Sequence, residues 1–199
     1  MARDEVVGDL IKGQVCLLGG LLVCMVVMPS CLTTNCGISD FGVHWRTIVP
    51  YAIGLVGAGL FTRRGLRAAA AELPAPRFTR LAGDTFAVLL VGVLLTPYTL
   101  GEGVHWAHRG FGAALFLFQL ILVIRLVAWD GGELVGVALV SAQFLAGVVS
   151  GVYVLQDAGH LVLSQLVFQA AFGAGMVRAV RHLRVRRKPS SPSRPSRQT

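Results

Sequence analysis

Residues 111–128 read FGAALFLFQLILVIRLVA, and only Gln119 and Arg125 in that run carry polar side chains. A hydrocarbon layer about 30 Å thick needs roughly 20 mainly apolar residues in a helix. A helix lying on a soluble core would show a polar stripe along one side, whereas this run is apolar all round. It has no period-two alternation, which disfavours a barrel strand. Working outward, five further stretches read the same way: 15–28, 47–61, 85–100, 134–155 and 161–177. The first is short but extends back through Ile11 if Lys12 snorkels to the surface. The second is both short and rich in glycine. The predicted fold is all-α: a polytopic membrane protein with a bundle of six transmembrane helices.

The rest of the chain agrees. Of its 199 residues, 54% are hydrophobic and 14% charged, against about a quarter charged in soluble domains. Mean hydropathy is +0.68. That little charge cannot cover a water-exposed globule, which excludes a soluble enzyme, a nucleic-acid reader and a disordered regulator.

The net charge of +8 is a topology signal, because basic residues accumulate on the cytoplasmic side of membrane proteins. If six spans alternate, Arg46 and Arg109 face outward and the other sixteen basic residues face inward. Both termini are therefore expected in the cytoplasm. The first segment carries Asp4, Glu5 and Asp9 and precedes no small-residue cleavage site, so it reads as a retained helix. Residues 1–14 are expected to be cytoplasmic, with Val6, Val7, Leu10 and Ile11 on one face that can lie on the membrane surface. Residues 15–177 form the transmembrane domain, and 178–199 form a basic, Pro- and Ser-rich disordered tail. Within that tail Arg181, Arg184, Arg186, Arg187 and Lys188 are expected to meet anionic lipid head groups.

Lipid supplies no hydrophobic drive between helices, so small residues and polar side chains must provide the packing. Gly54-x-x-x-Ala58, Gly147-x-x-x-Gly151 and Ala171-x-x-x-Gly175 offer close approach. Gln119, Gln143, Gln165 and Gln169 should bond across helices or line a polar path, with Gln165 and Gln169 on one face of the sixth helix. Pro97 is expected to kink the third span near its outer end. Cys16 and Cys24 read as core residues. Cys31 and Cys36 fall in the first outer loop, where they are either bridged or two free thiols.

Four of the five histidines, His44, His105, His108 and His160, map to the outer end of the spans. Asp40, Arg46, Glu102, Arg109 and Asp157 map to the same level. Ionisable groups near membrane depth mark a site by default, and three readings compete. The residues mark where water begins, or Glu102-x-x-His105 and His105-x-x-His108 hold a metal on one helix face. In the third, His105 or His108 pairs with His160 to ligate haem. Ser39 and Asp40 beside His44 invite a nucleophile reading, but adjacent residues rarely build a triad. No hydrolase elbow or phosphate-cradling glycine loop occurs. No catalytic or metal-binding residue is assigned, and no cofactor is expected.

Ile38-Ser39-Asp40-Phe41-Gly42 and His108-Arg109-Gly110-Phe111-Gly112-Ala113 together resemble motifs of the DRAM/Sfk-type six-helix membrane proteins and related bacterial six-helix families of unknown function. In those families an Ile-Ser-Asp-x-Gly motif occupies the first outer loop, and a His followed by Gly-Ala begins the fourth helix. Two extra residues separate His108 from Gly112-Ala113 here, and Cys36-Gly37 stands where a Pro often precedes the first motif. The resemblance implies six helices, cytoplasmic termini and a non-enzymatic role in membrane-lipid organisation or traffic. It makes Asp40 and His108 the equivalent polar positions, and an Asp40–His108 or Asp–Arg contact is expected to close an outer pocket.

The sequence therefore predicts a multi-pass plasma-membrane protein, non-catalytic, with an outer polar pocket. Its expected partners are membrane lipids and other membrane proteins, not nucleic acid. The alternatives are a haem- or quinone-linked oxidoreductase subunit using the outer histidines, and a small-molecule transporter.

Overall fold

Two prolines place the third helix. Pro76 occupies its first turn, where a missing N–H leaves nothing unsatisfied. Pro97 disfavours helical geometry in the residue before it, and Thr96 leaves the helix at φ −115°, ψ 61°. Pro97 therefore ends this helix and does not kink it, a correction to the sequence reading. The computed structural model describes residues 3–156 and 160–186. The expectations placed on Asp157, Arg187 and Lys188 lie outside the described residues.

Six α-helices follow one another: α1 (Arg3–Val27), α2 (Ile48–Ala69), α3 (Pro76–Leu95), α4 (Glu102–Trp129), α5 (Leu134–Gln156) and α6 (Leu161–Arg186). Short 3-10 turns lie at Pro29–Leu32, Ile38–Gly42, Ala70–Glu72 and Tyr98–Leu100, and no strand occurs among the described residues. All helices except α2 are long and apolar enough to cross a membrane. The last turns of α2 carry Arg63, Arg64 and Arg67, which lower its apolarity. Two expected boundaries move. From Arg3 on, the stretch assigned to a separate interfacial helix continues into α1 without a break. The expected tail from 178 instead begins as the last turns of α6, which runs to Arg186.

The helices α1, α2, α3, α4 and α6 form a closed ring in that order, and α5 packs outside it against α6 and α4. The tightest seam joins α1 to α2. A Cβ on Gly20 would lie 2.8 Å from the Pro50 carbonyl oxygen, and one on Gly54 would lie 3.0 Å from the Cys16 carbonyl oxygen. Here the two backbones touch, and Ala58 is fully buried beside them. Gly175 meets Val123 of α4 and Gly147 meets Phe168 of α6, whereas Gly151 faces open space.

Buried polar side chains tie the remaining helices. Gln119 of α4 donates to Gln169 of α6 at 2.7 Å, and Gln169 donates back at 3.3 Å. Ser150 of α5 and Ser164 of α6 share a 2.8 Å hydrogen bond. Gln143 differs: it is fully buried, and neither of its amide atoms has a partner among the described residues. Removing an unsatisfied amide relieves its desolvation cost. Gln143→Leu should therefore raise stability by about 1 kcal/mol, and Gln119→Leu, which orphans Gln169, should lower it by a similar amount. Thermal unfolding of the two variants in detergent would read both signs.

Charge separates the two ends of the bundle. Every ion pair among the described residues lies at the end holding the α1 N-terminus, the α2–α3 link and the α6 C-terminus. Asp9 meets Arg64 at 3.0 Å, and Asp84 is held between Arg63 and Arg67, each at 2.7 Å. Arg184 is 5% exposed and grips Glu72 with two parallel bonds of 2.6 and 2.8 Å. Arg186 donates to the Asp130 carbonyl and to Glu133. Arg184, expected at lipid head groups, is thus engaged inside the protein, whereas Arg186 is paired but stays more than half exposed; their carboxylate partners come from distant links, which no local pattern reveals. Arg181 alone of the described set stays exposed and without an ion pair.

Candidate functional site: an outer cavity roofed by the first loop

The opposite end is built around the Ile38–Gly42 turn. Phe41 is fully buried and anchors the turn, while the Thr47 hydroxyl donates to its carbonyl at 2.8 Å. Gly42 lies against the Tyr51 ring, where a Cβ would come within 2.7 Å. The Ile38 N–H donates to Gln165 Oε1 at 2.7 Å, joining the turn to α6. Asp40 accepts from the Gly37 N–H at 2.6 Å and from the Tyr98 hydroxyl. Cys31 and Cys36 lie within disulfide distance, their Cα atoms 5.0 Å apart, and fix the loop that leads into the turn. His160, at φ 72°, bonds the Leu32 carbonyl through Nδ1 at 2.8 Å, and its N–H donates to Thr34. The roof is therefore stapled to α6 twice.

Beneath the roof lies a cavity of about 100 Å3. Every helix of the ring contributes a wall. Ser39 in the roof, Tyr51 of α2, His108 of α4 and Gln165 and Gln169 of α6 supply polar groups to its lining. Leu17, Leu55, Leu90 and Leu115 supply apolar surface. Leu55 and Leu90 also wall a narrow apolar groove on the outside of α2 and α3, floored by Gly59 and Ala87. Two leucine side chains therefore separate the interior cavity from the bundle's apolar exterior.

The structure divides the eight described members of the expected outer polar set. Asp40, His105 and His108 gather round Tyr98: its ring meets His108 at 5.7 Å and His105 at 6.2 Å, both edge-on. His108 Nδ1 also reaches Thr96 Oγ1 at 3.5 Å. The expected partner of Asp40 is thus replaced by Tyr98, which stands between Asp40 and His108. His44 accepts from the Arg46 N–H. Arg46 and Arg109 lie over the exposed rings of Trp45 and Trp106, at 5.0 and 5.5 Å, an arrangement suited to a membrane–water interface. Glu102 is exposed in the first turn of α4, where its charge complements the helix dipole. The cluster is several local arrangements, with one centre at Tyr98.

This geometry bears on the chemical readings. Ser39 and His108 both line the cavity, but no hydrogen bond among the described residues joins them, and Asp40 is occupied by Tyr98 and Gly37. No nucleophilic trio is assembled. No ring contact or hydrogen bond among the described residues joins His160 to His105 or His108. Glu102, His105 and His108 do not converge as metal ligands. The described residues that do are Asp130, Glu133 and His182 at the basic end. There His182 bonds Asp130 at 3.2 Å. The Arg178 guanidinium holds Glu133 below the usual carboxylate range, with His182 and Arg186 adding to the effect. A cation would have to displace guanidinium groups already in place.

Burial, followed by the neighbouring Asp40 carboxylate, pushes the Tyr98 phenol above its ordinary value near 10. Below pH 10 the phenol keeps its proton whether folded or unfolded, so this group adds no pH dependence. Above it the unfolded chain ionises first, and folding stability falls as pH rises. Melting curves between pH 8 and 11 should show this decline, shallower in Tyr98→Phe. Identical curves would mean that the Tyr98 phenol is not shifted in the folded protein.

Sequence reasoning missed Tyr98, Tyr51 and the roof bond to Gln165. One signal was present: the chain has three tyrosines, and Tyr98 directly follows the proline that ends a span. No family model, no curated protein and no solved structure matches this chain.

Proposed function

We propose that this is a plasma-membrane protein crossing the bilayer six times with both termini in the cytoplasm. In this reading it acts as a non-catalytic membrane component whose outer cavity receives the polar head of a lipid-like amphiphile. The resemblance of its two outer motifs to DRAM/Sfk-type proteins, associated with membrane-lipid organisation, points the same way. Six spans need α2 to cross. Its 22 residues reach about 33 Å, it packs along both α1 and α3, and Arg63, Arg64 and Arg67 are each paired with Asp9 or Asp84. The basic end then faces the cytoplasm.

The observation that carries the binding reading is the distribution of polarity in the cavity. The Ser39 and Tyr51 hydroxyls and the His108 imidazole supply polar groups in a lining that is otherwise mainly aliphatic, while the Gln165 and Gln169 amides are engaged by the Ile38 N–H and by Gln119, an arrangement suited to a pocket that orients an amphiphile. Its volume of about 100 Å3 is below the roughly 150 Å3 that admits a benzene ring. A head group of a few atoms fits and a haem macrocycle does not. The α2–α3 groove offers a path for the tail past Leu55 and Leu90.

Gly112 gives the test, because it lines the cavity and a Cβ there meets open space. Gly112→Leu should fill the cavity and leave the protein folded. Single-chain lipids should raise the melting temperature of the parent protein and not that of the variant. Equal stabilisation of both would sink the pocket. Labelling of the single substitutions Thr99→Cys and Ala71→Cys in intact cells tests the topology: only the first should react with an impermeant reagent.

A further inference from the structure

Tyr51 is the most buried of the polar residues that line the outer cavity. It is 3% exposed, and Gly42 lies against one edge of its ring, where a Cβ would come within 2.7 Å of Cε1. The hydroxyl makes no hydrogen bond among the described residues, yet its oxygen is not one of the buried polar atoms sealed by packing, as the Gln14 and Gln143 amides are. The little surface that Tyr51 keeps therefore includes the oxygen, and the space it opens on is the cavity. Buried phenols ordinarily find a hydrogen-bond partner, and leaving one unpaired is costly. Tyr51 is a donor held ready for an acceptor that the chain itself does not provide.

The rest of the lining narrows what that acceptor can be. No Lys, Arg, Asp or Glu is among the described lining residues, and the roof carboxylate, Asp40, is engaged by the Gly37 N–H and the Tyr98 hydroxyl. A charged head group would lose its hydration there without gaining a fixed counter-charge. The two lining amides have no carbonyl to offer: Gln165 Oε1 accepts from the Ile38 N–H, and Gln169 exchanges both its bonds with Gln119. What the cavity does offer is hydroxyl protons, from Tyr51 and from Ser39 in the roof. Leu55 follows Tyr51 by one helical turn and Gly59 by two, so the three share a stripe of α2. Leu55 walls both the cavity and the outer groove that Gly59 floors, and a chain attached to a head at Tyr51 leaves along that stripe. We propose that the outer cavity recognises a neutral acyl ester, whose carbonyl oxygen accepts a hydrogen bond from the Tyr51 hydroxyl. This assignment rests on the cavity reading above and adds the chemistry of the head group.

Amphiphiles of one chain length separate the head groups: methyl dodecanoate, dodecyl methyl ether (which lacks only the carbonyl), dodecanol, dodecanoate and dodecylamine. Affinities follow from the rise in melting temperature of the full chain in detergent as each is added. The parent protein should bind the ester about fivefold more tightly than the ether, the worth of one net hydrogen bond. Tyr51→Phe keeps the ring against Gly42 and removes only the oxygen, so it should fold as the parent does and bind ester and ether alike. The infrared carbonyl stretch of an isotope-labelled ester should move to lower frequency in the parent complex and not in the variant. An ester preference that survives Tyr51→Phe overturns the assignment to Tyr51. Equal affinities in the parent, the result if water satisfies the phenol, overturn recognition of the carbonyl. Tighter binding of dodecanoate, dodecylamine or dodecanol than of the ester gives the site to a charge, such as His108 would supply, or to a donor, and overturns the neutral acceptor. Those three results leave the cavity standing where Gly112→Leu still abolishes binding. If no amphiphile stabilises the parent, or all stabilise Gly112→Leu equally, the cavity reading falls and this one with it.

Discussion

Gly20→Leu is expected to cost about 3 kcal/mol of stability, while Gly19→Ala, one residue away, is expected to be neutral or slightly stabilising. At Gly20 even a methyl group would sit 2.8 Å from the Pro50 carbonyl oxygen and 3.0 Å from Gly54 Cα. Those atoms belong to backbone and cannot rotate aside. Helices α1 and α2 would have to separate, and the loss would spread along a seam that also places Gly54 on Cys16 and Gly65 on Leu10. At Gly19 a Cβ meets nothing within 4 Å, so alanine only removes the entropic penalty of a helical glycine. Unfolding midpoints of the two variants in one detergent would decide the matter. Equal effects would mean that helix propensity, not contact, governs this seam. Because α2 also supplies Tyr51 and Leu55 to the outer cavity, Gly20→Leu should abolish amphiphile stabilisation as well.

That seam is partly legible in the sequence. Gly54-x-x-x-Ala58 stands out on α2, but Gly20 and Gly54 meet across helices, and no spacing within one helix announces a partner in another. The helices themselves are legible because length and apolarity act locally; their ends are less so. Pro97 reads as a kink because hydrophobicity continues to Leu100, whereas backbone sterics stop the helix at Leu95. Charge counting locates the basic end as a set of residues. It does not show that Arg184 turns inward to Glu72, 112 residues away in sequence, or that His182 finds Asp130.

The outer cluster shows the same division. Depth assigns nine polar residues to one level, and depth alone does not say which of them share a neighbour. Arg46 and Arg109 are legible as outer charges, yet each is paired with a tryptophan three residues away or fewer and forms a rim. Asp40 is singled out by its motif, which points to a charged partner. The partner is a phenol, because Pro97 ends α3 and turns the chain so that Tyr98 faces the Ile38–Gly42 roof. Hydrogen bonding to a neutral donor lets a carboxylate remain near membrane depth without importing a second charge.

Asp40→Ala should therefore cost about 3 kcal/mol, since it strips a charged acceptor from two donors at once. The Gly37 N–H and the Tyr98 hydroxyl would both be left without their partner, and the roof would lose its tie to the α3–α4 link. Tyr98→Phe should cost about 2 kcal/mol, the phenol bond alone. Made together, the two substitutions should cost clearly less than their sum, with a coupling of about 2 kcal/mol. A cycle of Asp40→Ala with His108→Ala separates this arrangement from a direct Asp–His contact. His108 touches the Tyr98 ring and Thr96, so its coupling to Asp40 should stay within about 0.5 kcal/mol. A larger coupling with His108 than with Tyr98 would restore the acid–histidine pair and remove Tyr98 from the centre of the site. The roof also carries Ser39, so Asp40→Ala should weaken amphiphile stabilisation even at temperatures where the variant remains folded. His108→Ala should weaken it with little loss of stability, because that side chain faces the cavity more than it supports the turn.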